Sequence, residues 1–251
     1  MHPLIHLALS AGRAIMDIYA TDFAAKSKKD LSPVTAADEA AERIILAGLA
    51  KLDPATPVIS EEAAASGHIP TVGASFYLVD PLDGTKEFIS RNGEFTVNIA
   101  LVKQEVPIMG VVYAPACKRI FWGELGKDAS QGQVTEDGSI SWAPIRVRAL
   151  PAEGAAVLAS RSHRDAETNE YLSKIKVMSL VSAGSSLKFC LIAAGEADLY
   201  PRFGRTMEWD TAAGHAVLLA AGGKVLTTQG IPLAYGKRSR GFDNPAFIAS
   251  A

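Results

Sequence analysis

Apolar residues in this chain recur with two different periods, and the places where one gives way to the other outline its elements. Leu4, Leu7, Ala8, Ala11, Ile15 and Ile18 fall at helical spacing, with Arg13 and Asp17 on the opposite face, which predicts an amphipathic helix over 3–20. A polar connector is expected at 22–35. Thr35, with Asp38 three residues on, then has the form of a helix N-cap before the stripe Ala37, Ala40, Ala41, Ile44, Ile45 and Leu49. Val58-Ile59-Ser60 reads as a short strand delivering Glu61 and Glu62 at its end; neighbouring strand side chains point oppositely, so only one of the two acids readily faces a given site. Tyr77, Leu78 and Val79 close a buried strand, after which Asp80-Pro81-Leu82-Asp83-Gly84 is expected to turn the backbone sharply before a helix begins.

Beyond this turn, 95–102, 108–114 and 119–123 read as three strands of an antiparallel meander, and 124–144, rich in Gly, Ser, Asp and Gln, as an exposed excursion. The pattern then changes. Strands at 155–160, 177–182, 197–200 and 224–227 alternate with helices at 165–174, from about 186 and from 211, which is an α/β series. The stretch 148–153 therefore marks the expected boundary between an N-terminal α+β domain, 1–148, and a C-terminal α/β domain, 149–251.

Composition narrows the class. With 251 residues, 48% hydrophobic and 21% charged, the chain can bury a substantial core. A net charge of −2 excludes a polyanion-binding surface over the whole protein, so no nucleic-acid polymer is expected as a partner. Cys117 and Cys190 form no Cys-x-x-Cys pair, and reduced thiols are the default. The five histidines lack zinc-ligand spacing. Arg13 and Asp17 interrupt the first twenty residues, and no run approaches the ~18 apolar residues of a membrane span. A cytoplasmic protein is expected.

The candidate chemistry is acidic. Asp80 and Asp83 are three apart, Pro81 restricts the backbone between them, and Gly84 lets the chain bend close to whatever they hold. An open acidic turn of this kind suits Mg²⁺, which keeps several waters and takes a few carboxylates plus substrate phosphate. Thr85 adds a hydroxyl. Asp-Pro and Asp-Gly pairs also mark ordinary turns, Asp38 and Asp210 also read as helix caps, and Glu61-Glu62 as a solvated loop. Ala183-Gly184-Ser185-Ser186-Leu187-Lys188 sets small residues before a helix, where free amides, hydroxyls and Lys188 would converge on an anion; a Ser-capped helix start explains the same residues. Lys28, Lys86, Arg91, Arg161, Lys188 and Arg202 are ordinary surface cations when each is taken alone. Gly222-Gly223-Lys224 is followed by Val225 and lacks the spacing of a nucleoside-triphosphate loop.

Taken together and in order, Glu61-Glu62, Asp80-Pro81-Leu82-Asp83-Gly84-Thr85 and Trp209-Asp210 resemble the lithium-sensitive, magnesium-dependent phosphomonoesterases of the inositol monophosphatase superfamily. Within it, the bacterial 3'(2'),5'-bisphosphate nucleotidases are the nearer likeness. The stretches 28–38, 83–88 and 91–98 carry it, with Ser160-Arg161-Ser162-His163, 184–190 and 200–204, while 63–75 and 124–144 depart. The resemblance implies a layered αβαβα sandwich of the inositol monophosphatase and fructose-1,6-bisphosphatase type, an α+β half packed on an α/β half with metals at the junction. It makes Glu61, Asp80, Asp83 and Asp210 side-chain ligands of more than one Mg²⁺, with Leu82 contributing its carbonyl. Asp38 and Thr85 become a relay that orients water together with Glu61, and Glu62 a supporting neighbour. Substrate contacts are implied for Glu61, Leu82, Asp83, Gly84, Thr85, Lys86, Ser162, His163, Gly184, Ser185, Ser186, Lys188, Arg202 and Asp210. The implied activity removes the 3'-phosphate of adenosine 3',5'-bisphosphate, giving AMP, in support of sulfate assimilation. An inositol or sugar phosphatase using the same metals is the alternative. A homodimer and peripheral association with the inner membrane surface are compatible with the likeness.

Overall fold

The structure is a computed structural model and describes residues 1–21, 32–159 and 166–251, without the side chains at 32 and 33. Ser162 and His163, along with Lys28 and Arg161, lie outside the described residues.

The elements stack in five layers. Helices α1 (Pro3–Tyr19) and α2 (Ser32–Leu52) pack on each other and on one face of a seven-stranded sheet. Its strands are β1 (Val58–Ser60), β2 (Ser75–Asp83), β3 (Thr96–Lys103), β4 (Val106–Ala114), β5 (Arg119–Glu124), β6 (Ala129–Val134) and β7 (Ile140–Ile145), in that spatial order. β1 runs parallel to β2, and every later neighbour is antiparallel. Two short helices punctuate this half, α3 (Glu61–Ala65) after β1 and α4 (Thr85–Ile89) after β2. The second half contributes β8 (Ala155–Leu158), α5 (Ala166–Ser173), β9 (Val177–Val181), α6 (Leu187–Ala193), β10 (Leu199–Arg202), α7 (Trp209–Ala220), β11 (Lys224–Thr227) and β12 (Phe247–Ser250). Its five strands form a sheet in the order β11-β12-β10-β8-β9. α6 and α7 fill the space between the two sheets, and α5 lies against β10.

Two apolar cores explain the layering. Tyr77, Val79, Val97, Ile99, Val111 and Ile120 face α1 and α2, while their strand neighbours Phe76, Leu78, Ala100, Val102, Val112 and Phe121 face the middle helices. A sheet covered on both faces buries successive residues, so β2 to β4 read as continuous apolar runs. α7 presses unusually close to it. A Cβ at Gly110 would stand 2.4 Å from the Ala213 carbonyl oxygen, and one at Gly123 would stand 2.5 Å from the Val217 Cα, so these glycines form the notch in which the helix lies. Ala212, Ala213, Ala216, Val217 and Leu218 are buried, as a helix enclosed by two sheets requires.

Several expectations are corrected. α2 begins at Ser32, so Thr35 lies inside it and Asp38 sits well beyond its first residue; neither caps it. Pro33 accounts for the earlier start, because its fixed φ and missing N–H suit a first helical turn. β2 does not break at Asp80: it continues to Asp83 through a register shift, where Pro81 is tolerated, and helix α4 follows at once. Glu61 and Glu62 open a helix rather than end a strand. The supposed excursion at 124–144 contains β6 and β7, which extend the meander. Its Gln, Ser and Gly residues conceal a strand because a Cβ at Gly132 would meet Ile140 at 2.3 Å and Ile120 at 2.9 Å, so the apolar packing comes from neighbouring strands. α7 starts at Trp209, which leaves Asp210 inside its first turn rather than at the cap. β12 had no counterpart in the expected series.

Candidate active site

Asp80 is placed by strand periodicity. It follows Phe76 and Leu78 on the face of β2 that looks toward α7, and it is buried. Its Oδ1 accepts the Leu82 N–H at 3.1 Å, which fixes the carboxylate within the bulge. Glu61 arrives from the first turn of α3, and Asp210 from the first turn of α7, where its Oδ2 accepts the Met207 N–H at 2.8 Å. One carboxylate oxygen from each of Glu61, Asp80 and Asp210 lies within 4.8 Å of the others. Acids from three elements, separated by 149 positions from first to last (210 minus 61), thus meet at one point.

Asp83 closes the group from beside it. Its Oδ2 accepts the Ser186 N–H at 2.7 Å, the Ser186 hydroxyl at 3.2 Å and the Asn98 amide at 3.4 Å. The Ser186 hydroxyl also lies 2.6 Å from the Asp210 carbonyl oxygen, so one serine joins the strand that carries Asp83 to the helix that carries Asp210. This alters the reading of the 183–188 loop. The Ser186 amide is committed to a carboxylate rather than left free for an anion, and a Cβ at Gly184 would stand 2.5 Å from the Glu94 carbonyl oxygen. Ser185 adopts a left-handed φ of 42° and donates its hydroxyl to that same carbonyl at 2.9 Å. The small residues of this loop therefore bring it against the 94–96 strand start and aim its amide at Asp83.

Electrostatics make the site unusual. Burial pushes the Asp38 carboxyl up to about 8, reinforced by Glu62, Glu61, Glu42 and Asp83. Burial and then Asp83 push Glu61 to about 7, and the same two causes lift Asp210 to about 7. Asp80 is driven well above the ordinary carboxylate range by burial, then by Glu61, Asp83 and Asp210. Asp83 is raised by burial, with Lys188 and the Ser186 and Asn98 hydrogen bonds opposing the rise. Buried like charges at such spacing require either protons or cations. The Oδ1 of Asp38 and the Oδ1 of Asn98 are buried without a hydrogen-bond partner, and Asn98 donates its amide to Asp83 beside the cluster. All-oxygen ligation by carboxylates is the chemistry of a hard divalent cation.

A cavity of about 150 Å³ opens beside the acids, lined by Asp83, Asp210, Glu87, Lys188, Arg202 and Thr211 among others. Lys188 is buried, with Nζ 3.1 Å from the Ser185 carbonyl oxygen and 5.4 Å from the centre of the Tyr200 ring, and burial lowers its pKa. The Arg202 guanidinium donates to the carbonyls of Gly204 and Arg205, each at 3.1 Å. Thr85 is the exposed first residue of α4, and α4 packs against α2. Among the described residues no hydrogen bond joins Thr85 to Asp38. Lys86 is exposed next to it, and Leu82 buries its side chain in the core beneath α1 and α2. Asn98, Thr96, Tyr200 and Thr211 join the site although the sequence motifs assign them no role in it. Thr96 and Asn98 did carry a signal, since they are polar residues interleaved with the apolar run Val97 to Val102 of β3, and both are fully buried.

A sequence model described as the Inositol monophosphatase family matches residues 2–248. The chain belongs to the inositol monophosphatase family. Among members of that family, the 3'(2'),5'-bisphosphate nucleotidase CysQ of Salmonella typhimurium is 48% identical over 98% of this chain and 98% of its own. The protein of the same description from Escherichia coli K12 is 49% identical over 97% and 96%. The crystal structure of CysQ from Bacteroides thetaiotaomicron, titled a bacterial member of the inositol monophosphatase family, superposes with a TM-score of 0.84 at 40% identity, covering 99% of this chain and 96% of that one. The layered αβαβα fold and phosphatase chemistry expected from the motifs are those of the family.

Proposed function

We propose that this family member is a magnesium-dependent 3'(2'),5'-bisphosphate nucleotidase that releases the 3'-phosphate of adenosine 3',5'-bisphosphate in the cytoplasm, in support of sulfate assimilation. The observation that carries the reading is the meeting of Glu61, Asp80 and Asp210 beside Asp83, at the lip of a cavity whose other wall bears Lys188 and Arg202. Near-half identity along the whole chain to relatives named for that activity supports the choice of substrate.

Hydrolysis joins a water oxygen to phosphorus, breaks the bond from phosphorus to the ribose O3' and returns a proton to that oxygen, giving AMP and inorganic phosphate. Mg²⁺ ions held by Glu61, Asp80, Asp83 and Asp210, with the Leu82 carbonyl, would neutralise the ester's charge, acidify water and support the leaving oxygen. The protein's own groups set the geometry. Ser186 ties Asp83 to the start of α7, so the Asp83 and Asp210 carboxylates keep their spacing. Thr85 would orient the attacking water by its hydroxyl, and Asp38, whose Oδ1 has no hydrogen-bond partner, would accept from that hydroxyl. Lys188 and Arg202 supply positive charge for the phosphate that is not cleaved.

A panel of phosphate esters assayed with and without Mg²⁺ tests the proposal. Phosphate released from adenosine 3',5'-bisphosphate far faster than from inositol 1-phosphate, and only with Mg²⁺, is the expected result. Preference for inositol 1-phosphate or a sugar phosphate would replace it with the alternative reading of the same acids.

A further inference from the structure

Glu61 reaches the acid cluster from α3, which has only five residues. So short a helix has little stability of its own, because the first hydrogen-bonded turn is the costly one. Its first turn also carries two carboxylates beside other buried acids, a repulsive placement. Something outside the helix must hold it. Ser60 stands at the N-cap with extended backbone (φ −117°, ψ 150°), the usual place for a capping hydroxyl, yet its side chain makes no cap hydrogen bond to α3.

The hydroxyl donates instead to Glu42 Oε1 on α2, and the same oxygen accepts the Ala63 N–H at 3.1 Å. Ala63 is the third residue of α3, whose amide a capping side chain ordinarily satisfies. A carboxylate from another helix thus occupies the capping position, and it grips both sides of Glu61, at the residue before it and two residues after it. Glu42 stands four residues beyond Asp38, on the same face of α2. One helix face therefore sets Asp38 and, through α3, Glu61.

Resting on the cation site proposed above, we infer that Glu42 is a positioning residue: by capping α3 from α2 it fixes the Glu61 carboxylate relative to Asp80 and Asp210. Ser60 and Ala63 both donate to one oxygen, Oε1, so the part proposed for Glu42 is geometric and an amide oxygen of the same shape can take it over.

The test is calorimetric titration of Mn²⁺ into the full chain, with phosphate release from adenosine 3',5'-bisphosphate measured across Mg²⁺ concentration. Glu42→Ala is expected to weaken Mn²⁺ binding about 10–100-fold, the range for losing a group that orients a metal ligand, and to raise the Mg²⁺ needed for half-maximal rate in step. Glu42→Gln, which keeps the acceptor oxygen, is expected to bind Mn²⁺ within about threefold of the parent; Ser60→Ala, which removes one of the two contacts and is the milder change should Glu42→Ala fail to fold, is expected to fall between. Glu42→Ala binding Mn²⁺ as tightly as the parent would overturn the inference alone, as would Glu42→Gln as impaired as Glu42→Ala, since charge and not capping would then be what matters. No Mn²⁺ binding by the parent chain would overturn the cation site itself.

Discussion

Asp83 concentrates the residue-scale chemistry, because three hydrogen bonds hold a carboxylate that burial would otherwise neutralise. Asp83→Asn preserves its shape and removes its charge. Phosphate release from adenosine 3',5'-bisphosphate should fall about 100-fold or more, the scale of several kcal/mol of lost charge stabilisation, while far-UV circular dichroism stays unchanged. Full activity in this variant would remove Asp83 from the cation site. Lys188 makes a different prediction. Lys188→Ala should raise KM for adenosine 3',5'-bisphosphate about tenfold, as a lost hydrogen bond to a charged group implies, and raise KM for a monophosphate much less. Equal increases for both esters would show that Lys188 does not read the second phosphate.

At the scale of elements, the site depends on how closely α7 lies on the first sheet. Gly110→Ala puts a methyl group 2.4 Å from the Ala213 carbonyl oxygen, so the helix must move away. A cost of ~1–3 kcal/mol is expected, the usual penalty for overpacking, visible as a lower midpoint in urea. Because Asp210 rides on the first turn of α7, the same variant should also need more Mg²⁺ for half-maximal rate. A stability loss without any change in Mg²⁺ requirement would mean that α7 moves without carrying Asp210. The three cap expectations fail for one reason. Thr35, Asp38 and Asp210 have the side-chain types that favour caps, whereas the helices begin at Ser32 and Trp209, which leaves all three inside them.

For the whole molecule, the enclosed acids link folding to pH and to cations. Asp38 at about 8 and Glu61 and Asp210 at about 7 all lie above their unfolded values near 4. Between about pH 4 and pH 8 the folded chain therefore binds more protons at these groups than the unfolded chain, so their contribution to stability falls as pH rises. In the presence of a chelator, Tm should drop between pH 6 and pH 8.5, and the drop should be smaller in Asp80→Asn, which relieves the repulsion. Mg²⁺ at about 100 times its Kd should restore ~2.7 kcal/mol and flatten the pH profile, since it binds the folded state alone. A chelated protein whose Tm does not respond to pH over this interval would show that the carboxylates ionise without strain.

The set Glu61, Asp80, Asp83 and Asp210 stood out only through the family resemblance, whereas the sequence by itself determined several elements: helical spacing set α1 and the interior of α2, and apolar runs set β2 to β5. These are short-range properties, carried by periodicity and by residue type. Tertiary structure decided what no local pattern records. It turned the Ser186 amide from a phosphate donor into the support of Asp83, made strands of 129–134 and 140–145 by packing Gly132 under its neighbours, and brought Glu42 to cap a helix on which it does not lie. Each of these depends on which distant backbone groups come within about 3 Å, and hydrogen bonds of that kind are fixed only when the layers close.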